Sequence, residues 1–528
     1  MSSKDYFRPR GDITTVLDLT DRDAQDNTYF PLTAEDSWFH RESNTVYPTT
    51  LSIQEFTQRG PAAWGQTFSF EIGSLPAGDL LQSIVLQFKL GSWYNDGIVR
   101  QLANGQLTAS VGNIPTTTDY SDQYWTYCNS LGTSIIESAE FVVNDQTIER
   151  LSGEYIRCFL NNYADINTLI GISSDSIGSV PYNYLSNQPI GGQIPALQTA
   201  FSPSRPFPTE DGNYFCILPF FFIRTRLSQV FPLLSCNEGN VRINVTLKPF
   251  DQVVRKYIGY RANCNDTPLE KSVTFLQTPL HPVTPPQETL TTQTVLKPPE
   301  FQNFRILTFA ALTTGSIRDK FLRNPFEQMI KSVQSFHFDE PLKYLVSKPN
   351  PNSDVVEIQL PLELNHPVIE ILWTLRRKAV LINNEWSNFS PAIGLEQTPN
   401  KVYPPWIQTA TIRINGSEVI SAPGNWFREH NAKAHKGGLI TYQSHVYGYS
   451  FARYPDQHQP SGTANMSKAT SVTLTLRVNT PIPVNLAALD PPCVFDPNVV
   501  GGWEVFVHAV HYNWLRFENG ICNRLFTD

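Results

Sequence analysis

Glu429, His430 and His435 are the side chains in this chain that first suggest metal chemistry. The spacing of the two histidines is loose, Glu429 is merely nearby and no third ligand is marked, so the stretch reads as a solvated loop. His508 and His511 lie in a strand, where odd spacing sends side chains to opposite faces and prevents joint chelation. The cysteines stand at Cys128, Cys158, Cys216, Cys236, Cys264, Cys493 and Cys522, with no C-x-x-C pair, so zinc ribbons and redox motifs are excluded. No nucleophile elbow, phosphate-binding loop, reasoned carboxylate pair or His-x-His metal set is present. The expectation is therefore no catalytic residue, no cofactor, no metal and no enzyme activity.

Two short motifs have bland readings. Arg10-Gly11-Asp12 matches the integrin tripeptide, but three residues recur by chance and these fall in a polar N-terminal stretch. Asn244, Asn265, Asn388, Asn415 and Asn465 open N-x-[ST] sequons. With a polar Met1–Asp5 and no apolar leader, the chain is not expected to meet the secretory glycosylation machinery. Nor is there an apolar run of about eighteen residues that would span a membrane; the longest, Cys216–Ile223, has strand length and contains Pro219.

These residues need a framework. At 528 residues the chain exceeds one ordinary domain. Apolar residues make up 41%, enough for substantial cores, while charged residues are only 17%. Low charge with 40 prolines points to many short strands and to surface hidden against neighbours. A net charge of −8 argues against a dedicated nucleic-acid binder. The densest basic run, Arg376-Arg377-Lys378, reads as a solvated loop. Scattered thiols fit assembly in a reducing cytosol.

Period-2 alternation dominates. It is clear at Phe68–Ile72, Ile84–Leu90, Val241–Leu247, Val356–Leu364 and Val472–Val478, each a half-buried strand. Asn144-Asp145 and Asn415-Gly416 are hairpin turns. Helical signals are few; the best is Ser316–Arg323, with Ser316 as N-cap and Asp319 in its first turn. The Pro-rich stretch 279–299 tempts a domain boundary but also reads as a long loop. The composite is an all-β chain with paired sandwiches.

One long segment carries a resemblance. Tyr447–Lys468 contains Tyr449-Ser450-Phe451-Ala452, then Gln459-Pro460-Ser461-Gly462, then Asn465 and Ser467. In that order it resembles the signature of the double jelly-roll major capsid proteins of nucleocytoplasmic large DNA viruses. Further matches keep the family's order: Phe68–Ile72 with Gly78-Asp79-Leu80-Leu81, Trp125–Tyr155, Phe215–Phe222, Phe231–Val245, Arg305–Thr314, the connector Ser316–Ile330, Leu364–Trp373 with His366-Pro367-Val368, and Ala509–Gly520. The chain departs where the family often has Phe-Ser-Arg and this chain has Met466-Ser467-Lys468, and where Ile369 replaces a lysine. Loops near 92–120, 160–210 and 262–300 find no counterpart, which marks a divergent member.

The resemblance implies two tandem eight-stranded jelly-roll domains with long loops and a short helical connector. It divides the chain into an arm over 1–30, a first roll over 31–328 and a second over 329–528. It implies a major capsid protein whose homotrimers form pseudo-hexagonal capsomers of an icosahedral shell, with neighbouring capsomers, minor capsid and penton proteins and an inner membrane as surroundings. It assigns Pro367 and Gln459 to holding the rolls together. It places the chain in the virion, assembled in host cytoplasm at virus factories. A double-barrel scaffold, a minor capsid protein and a jelly-roll glycan-binding protein are the alternative readings.

Overall fold

Alternating runs become strands with one wet and one dry face. In β2 (Thr67–Ile72), Phe68, Phe70 and Ile72 are buried while Thr67, Ser69 and Glu71 are exposed. In β8 (Val241–Leu247) the four odd-numbered aliphatic residues point inward. The computed structural model describes residues 49–58, 60–73, 78–90, 123–128, 130–163, 213–223, 230–258, 300–346, 355–378, 406–435, 445–457, 459–479 and 502–526, with 384, 386 and 389.

Four antiparallel sheets make two sandwiches. In the first, β1 (Thr49–Thr57), β10 (Phe301–Thr313), β3 (Leu80–Leu90) and β7 (Asn213–Ile217) lie in that order. They face β2, β8, β5 (Ile136–Val143) and β6 (Gln146–Ser152) across a core that includes Phe70, Phe88, Phe141 and Ile306. The second sandwich has a sheet ordered β11 (Phe326–Phe338), β19 (Trp503–Glu518), β13 (Pro367–Arg377), β16 (Tyr447–Ser450). Two short strands extend it, β17 (Ala464–Asn465) on β13 and β20 (Ile521–Arg524) on β19. Its facing sheet is β12 (Val355–Pro361), β18 (Val472–Asn479), β14 (Ile407–Ile414), β15 (Ser417–Pro423), and Trp373, Leu474 and Val507 fill the space between. A separate ribbon pairs β4 (Gln123–Tyr127) with β9 (Val254–Ile258). Such crossed strand orders are those of a double jelly roll.

Among the described residues the α-helices are α1 (Leu131–Ser134), α2 (Gly153–Tyr163), α3 (Ser316–Arg323) and α4 (Gly424–His435). Helix α3 lies where expected, but its N-cap is Gly315, at φ 65°, rather than Ser316. The connector is also shorter than 316–330, because β11 begins at Phe326.

Both expected hairpin turns are present. Asn144-Asp145 has φ 51° and 63°, and Asn415-Gly416 has φ 53° and 79°. A third, Asn519-Gly520 between β19 and β20, went unread in the sequence. The first two belong to one repeated module. Ile136 corresponds to Ile407, Asn144 to Asn415 and Gly153 to Gly424, each pair 271 residues apart. The strand lengths and β-bulge positions of both hairpins keep the same offset. At each helix start a Cβ would collide with a carbonyl: Gly153 with that of Ile136 at 2.3 Å, Gly424 with that of Ile407 at 2.2 Å. Glycine is what lets each helix turn straight off its hairpin.

One sheet departs from alternation. In β13 every residue from Val368 to Arg377 is buried, as are the first eleven of β19. Ile371, Trp373, Val505, Val507 and Ala509 face their own sandwich core. The opposite face, with Thr374, Arg376, Phe506 and His508, is covered by the first sandwich.

Candidate functional site

Helix α2 supplies part of that cover, through Glu154 at Arg376 and Tyr155 at His508. Ser152 Oγ accepts from Tyr155 N (3.2 Å) at its first turn, which aims Glu154 at the second sandwich. The Glu154 carboxylate accepts from Arg157 Nη2 (2.8 Å) on its own helix and from Arg376 Nη1 (3.4 Å) on β13. Arg376 also donates through Nε to Glu504 Oε1 (2.7 Å), and His337 Nε2 lies 2.8 Å from Glu504 Oε2. Trp386 closes the group: its carbonyl accepts from Arg376 (3.2 Å) and its indole N–H donates to Gln252 O (2.7 Å). Lys248 Nζ sits 3.2 Å above the Trp386 ring.

The electrostatics are those of a buried fastening. Burial works against an ionised Glu154, but Arg157, Arg376 and Lys248 outweigh it and hold its carboxyl far below the usual range. Burial, reinforced by Arg157 and Arg376, drives Lys248 well below an ordinary lysine. With that amine held toward neutrality, two guanidiniums face two carboxylates. Glu504 is likewise lowered, by His337 and Arg376 against its own burial.

Further along the seam, the Tyr155 ring meets His508 edge-on at 5.3 Å. His508 Nδ1 lies 2.8 Å from Ser335 Oγ, and burial lowers the imidazole to about 4. This resembles half of a hydrolytic triad, yet among the described residues His508 Nε2 has no hydrogen-bond partner and no acid completes the set. Burial pushes the Cys158 thiol up to about 12. His337, Asp339 and Glu504 bring one ligand atom each within 4.8 Å of one another. Arg376 already neutralises Glu504, and Lys378 lies 2.8 Å from Asp339, so a divalent cation there would face two positive charges.

The signature segment frames the edge of the same sheet. β16 pairs with β13, Tyr447 opposite Trp373, and the two rings lie parallel at 6.3 Å. The chain then turns and returns as β17, which pairs with Pro367 and Val368. His366 N donates to Ser467 Oγ (2.8 Å) and Met466 N to His366 O (3.0 Å), joining two motifs distant in sequence. Inside the turn, Ser461 Oγ accepts from Tyr454 N (2.9 Å). Gly462 has φ 149°, and a Cβ there would come 2.5 Å from Phe451 O. From β11, the buried Lys331 donates to the carbonyls of Pro455 and Gln457, both at 2.6 Å.

Several sequence readings need correction. Arg376-Arg377-Lys378 is no solvated loop: Arg376 and Arg377 end β13 and are buried, Arg377 over the Trp406 ring at 5.6 Å. His430 and His435 are helical. His435 is buried with Nε2 2.7 Å from Glu370, while His430 stacks between Trp426 (4.8 Å) and Tyr449 (5.6 Å). Glu429 is exposed. Gln459 is exposed too, and the turn is held instead by Ser461, Gly462 and Lys331.

Other readings keep their form. His511 stacks on His366 at 4.9 Å, on the face opposite His508. Asn415 Oδ1 accepts from Thr470 N, and Asn465 Oδ1 from Ser467 N; Asn244 lies part-buried in β8. Cys128, Cys158, Cys216, Cys236 and Cys522 are buried free thiols. Arg10-Gly11-Asp12, Asn265, Asn388, Cys264, Cys493 and 279–299 lie outside the described residues.

Sequence reasoning missed Glu154, Arg157, Lys248, His337, Lys331 and Glu504. A usable signal existed: charges embedded in or abutting apolar strands imply buried partners, since an unpaired buried charge is prohibitive.

Two jelly rolls joined side by side through a sheet buried on both faces define a double jelly-roll protein. Residues 318–523 match the family described as large eukaryotic DNA virus major capsid protein. A major capsid protein of Phaeocystis pouchetii virus is 32% identical over 118 residues, which are 21% of this chain and 19% of that protein, so the chain spans about a fifth of that relative. A chain of the PBCV-1 virus capsid aligns with TM-score 0.60 at 16% identity, over 93% of this chain and 100% of that one. The Faustovirus major capsid protein aligns with TM-score 0.56 at 13% identity, over 96% of each. Residues 318–523 thus carry the sequence of that capsid-protein family, and the described chain has the double jelly-roll fold of the two solved capsid proteins.

Proposed function

We propose that the chain builds the icosahedral shell of a large double-stranded DNA virus as homotrimeric, pseudo-hexagonal capsomers. The observation that carries this reading is the seam. A trimer presents six equivalent lobes only if the two rolls of each chain keep a fixed relation, and a sheet buried on both faces fixes it. Low charge content supports extensive burial between copies. We keep the division into an arm over 1–30 and rolls over 31–328 and 329–528 as a proposal; a two-roll division is supported by the strand pairing, β1–β10 among themselves and β11–β20 among themselves, although β11 already begins at Phe326.

The surroundings of the shell follow from the same reading: neighbouring capsomers, minor capsid and penton proteins, an inner membrane, and assembly in host cytoplasm at virus factories. No described helix is long and apolar enough to cross a membrane. No catalytic role is proposed.

Light scattering after size exclusion, followed by negative-stain imaging, tests the proposal. The expected species has three times the 59.6 kDa chain mass and a hexagonal outline. A stable monomer would overturn self-assembly and bring forward a glycan-binding screen. A trimer scarce in purified virions would favour the scaffold or minor capsid alternatives.

A further inference from the structure

The polar seam lies near one end of β19, at Glu504. At its other end, Leu515 and Phe517 reach into the core of the first sandwich, where Phe517 meets Phe231 at 5.7 Å. The two places are thirteen residues apart along an extended strand, roughly 40 Å. Cys522 of β20 pairs opposite Phe517 and is buried in that core. Cys236 ends a 3-10 turn, Leu233–Cys236, of the first sandwich and belongs to the same core.

The turns carrying these cysteines abut. Glu238 N donates to Gly520 O (3.3 Å), and a Cβ on Gly520 would lie 2.4 Å from Asn237 Oδ1. The Cys236 thiol is the neighbour that most raises the Cys522 thiol above its ordinary value. Both are free, and neither takes part in the seam or the signature turn.

We propose that Cys236 and Cys522 are a disulfide-forming pair that covalently locks the two jelly rolls at the end of β19 remote from the ionic seam. The oxidant is a small disulfide, RSSR. One cysteine thiolate attacks a sulfur of RSSR, forming a mixed disulfide and releasing RSH. The other cysteine then displaces the second R group as RSH. One Cys236–Cys522 bond forms, the RSSR bond is reduced, and both thiol protons leave on the two RSH molecules. The neighbouring Cys236 thiol and burial raise Cys522 above an ordinary thiol, so exchange is slow in the closed fold and proceeds through local opening. The closed loop spans most of the second roll, so the bond restricts the unfolded chain strongly.

The experiment uses the full chain, purified reduced and incubated with oxidised glutathione. It is then denatured in alkylating agent and analysed by non-reducing electrophoresis, thiol count and peptide mapping. Two of the seven thiols should disappear. The linked peptides should contain Cys236 and Cys522, the denatured chain should migrate faster, and melting should shift upward by several degrees, all reversed by reductant. Cys236→Ser should abolish the loss of thiols while leaving reduced melting close to wild type. Should that variant fail to fold, the wild-type peptide map decides alone. Seven thiols surviving oxidation, a different linked pair, or glutathione mixed disulfides only would each overturn the proposal. The measurement reads an intramolecular bond, so its outcome is independent of whether the chain forms trimers.

Discussion

Arg376 on β13 and Glu154 on α2 meet 3.4 Å apart between the two sandwiches, the arginine buried and the glutamate part-buried. They come from opposite halves of the chain, so their contact exists only when the rolls are docked. Arg376 is shared with Glu504 at 2.7 Å on its own sheet, which orients the guanidinium before docking. The pair does not prove large net stability, since burying charges costs nearly what their attraction returns. Its consequence is specificity: any other docking leaves charges buried without partners.

Arg376→Ala should therefore be costly, because it takes the guanidinium from the buried Glu504 and leaves Glu154 with Arg157 alone. The expected loss is about 3–5 kcal/mol in urea unfolding. A double-mutant cycle with Glu154→Gln should give a coupling energy well above that of a surface pair. Coupling near zero would remove the seam from the forces that join the rolls.

Stability should fall with acid in two stages. His508 is held at about 4 in the folded chain, against about 6.5 when unfolded. Between those values only the unfolded chain binds the proton, so stability drops as pH falls, by roughly 3 kcal/mol in full. Glu154 and Glu504 are lowered in the fold. Their contribution is complete above the unfolded carboxyl range, about 4.3, and is lost as pH falls through their folded values. His508→Gln should flatten the first stage and spare the second, as read by melting temperature against pH; an unchanged first stage would assign it to other histidines.

Lys331→Met should loosen the signature turn. It removes both donors to the Pro455 and Gln457 carbonyls, for a loss of about 2–4 kcal/mol. Limited proteolysis should then cut near residues 453–462 faster than in wild type. Equal cleavage rates would show that the turn holds without this lysine.

Gly462→Ala should destabilise by more than about 2 kcal/mol, because its Cβ would press on the Phe451 carbonyl at a φ that alanine disfavours. Gln459→Ala, at an exposed neighbour, should leave melting unchanged within about 0.5 kcal/mol. The reverse order of effects would return the role to Gln459.

Adding zinc should not raise the melting temperature through His337, Asp339 and Glu504, because Arg376 and Lys378 already occupy their charge. A rise that disappears in His337→Ala would establish the site.

Strands, hairpins and fold class were legible in the sequence because each has a local cause. Period-2 alternation marks Phe68–Ile72 and Val241–Leu247 as half-buried strands, and Asn144-Asp145 and Asn415-Gly416 supply positive φ cheaply. The ordered Tyr449–Ser467 motif carried the family. The 271-residue repeat escaped notice because only backbone demands preserve it: Asn at the turn, Gly at the helix start. Tertiary structure alone decided which charges are buried. Arg376-Arg377-Lys378 resembles any solvated basic run until α2 covers the outer face of β13. Local sequence encodes which face of a strand is dry, whereas a second dry face depends on a partner surface contributed from far along the chain.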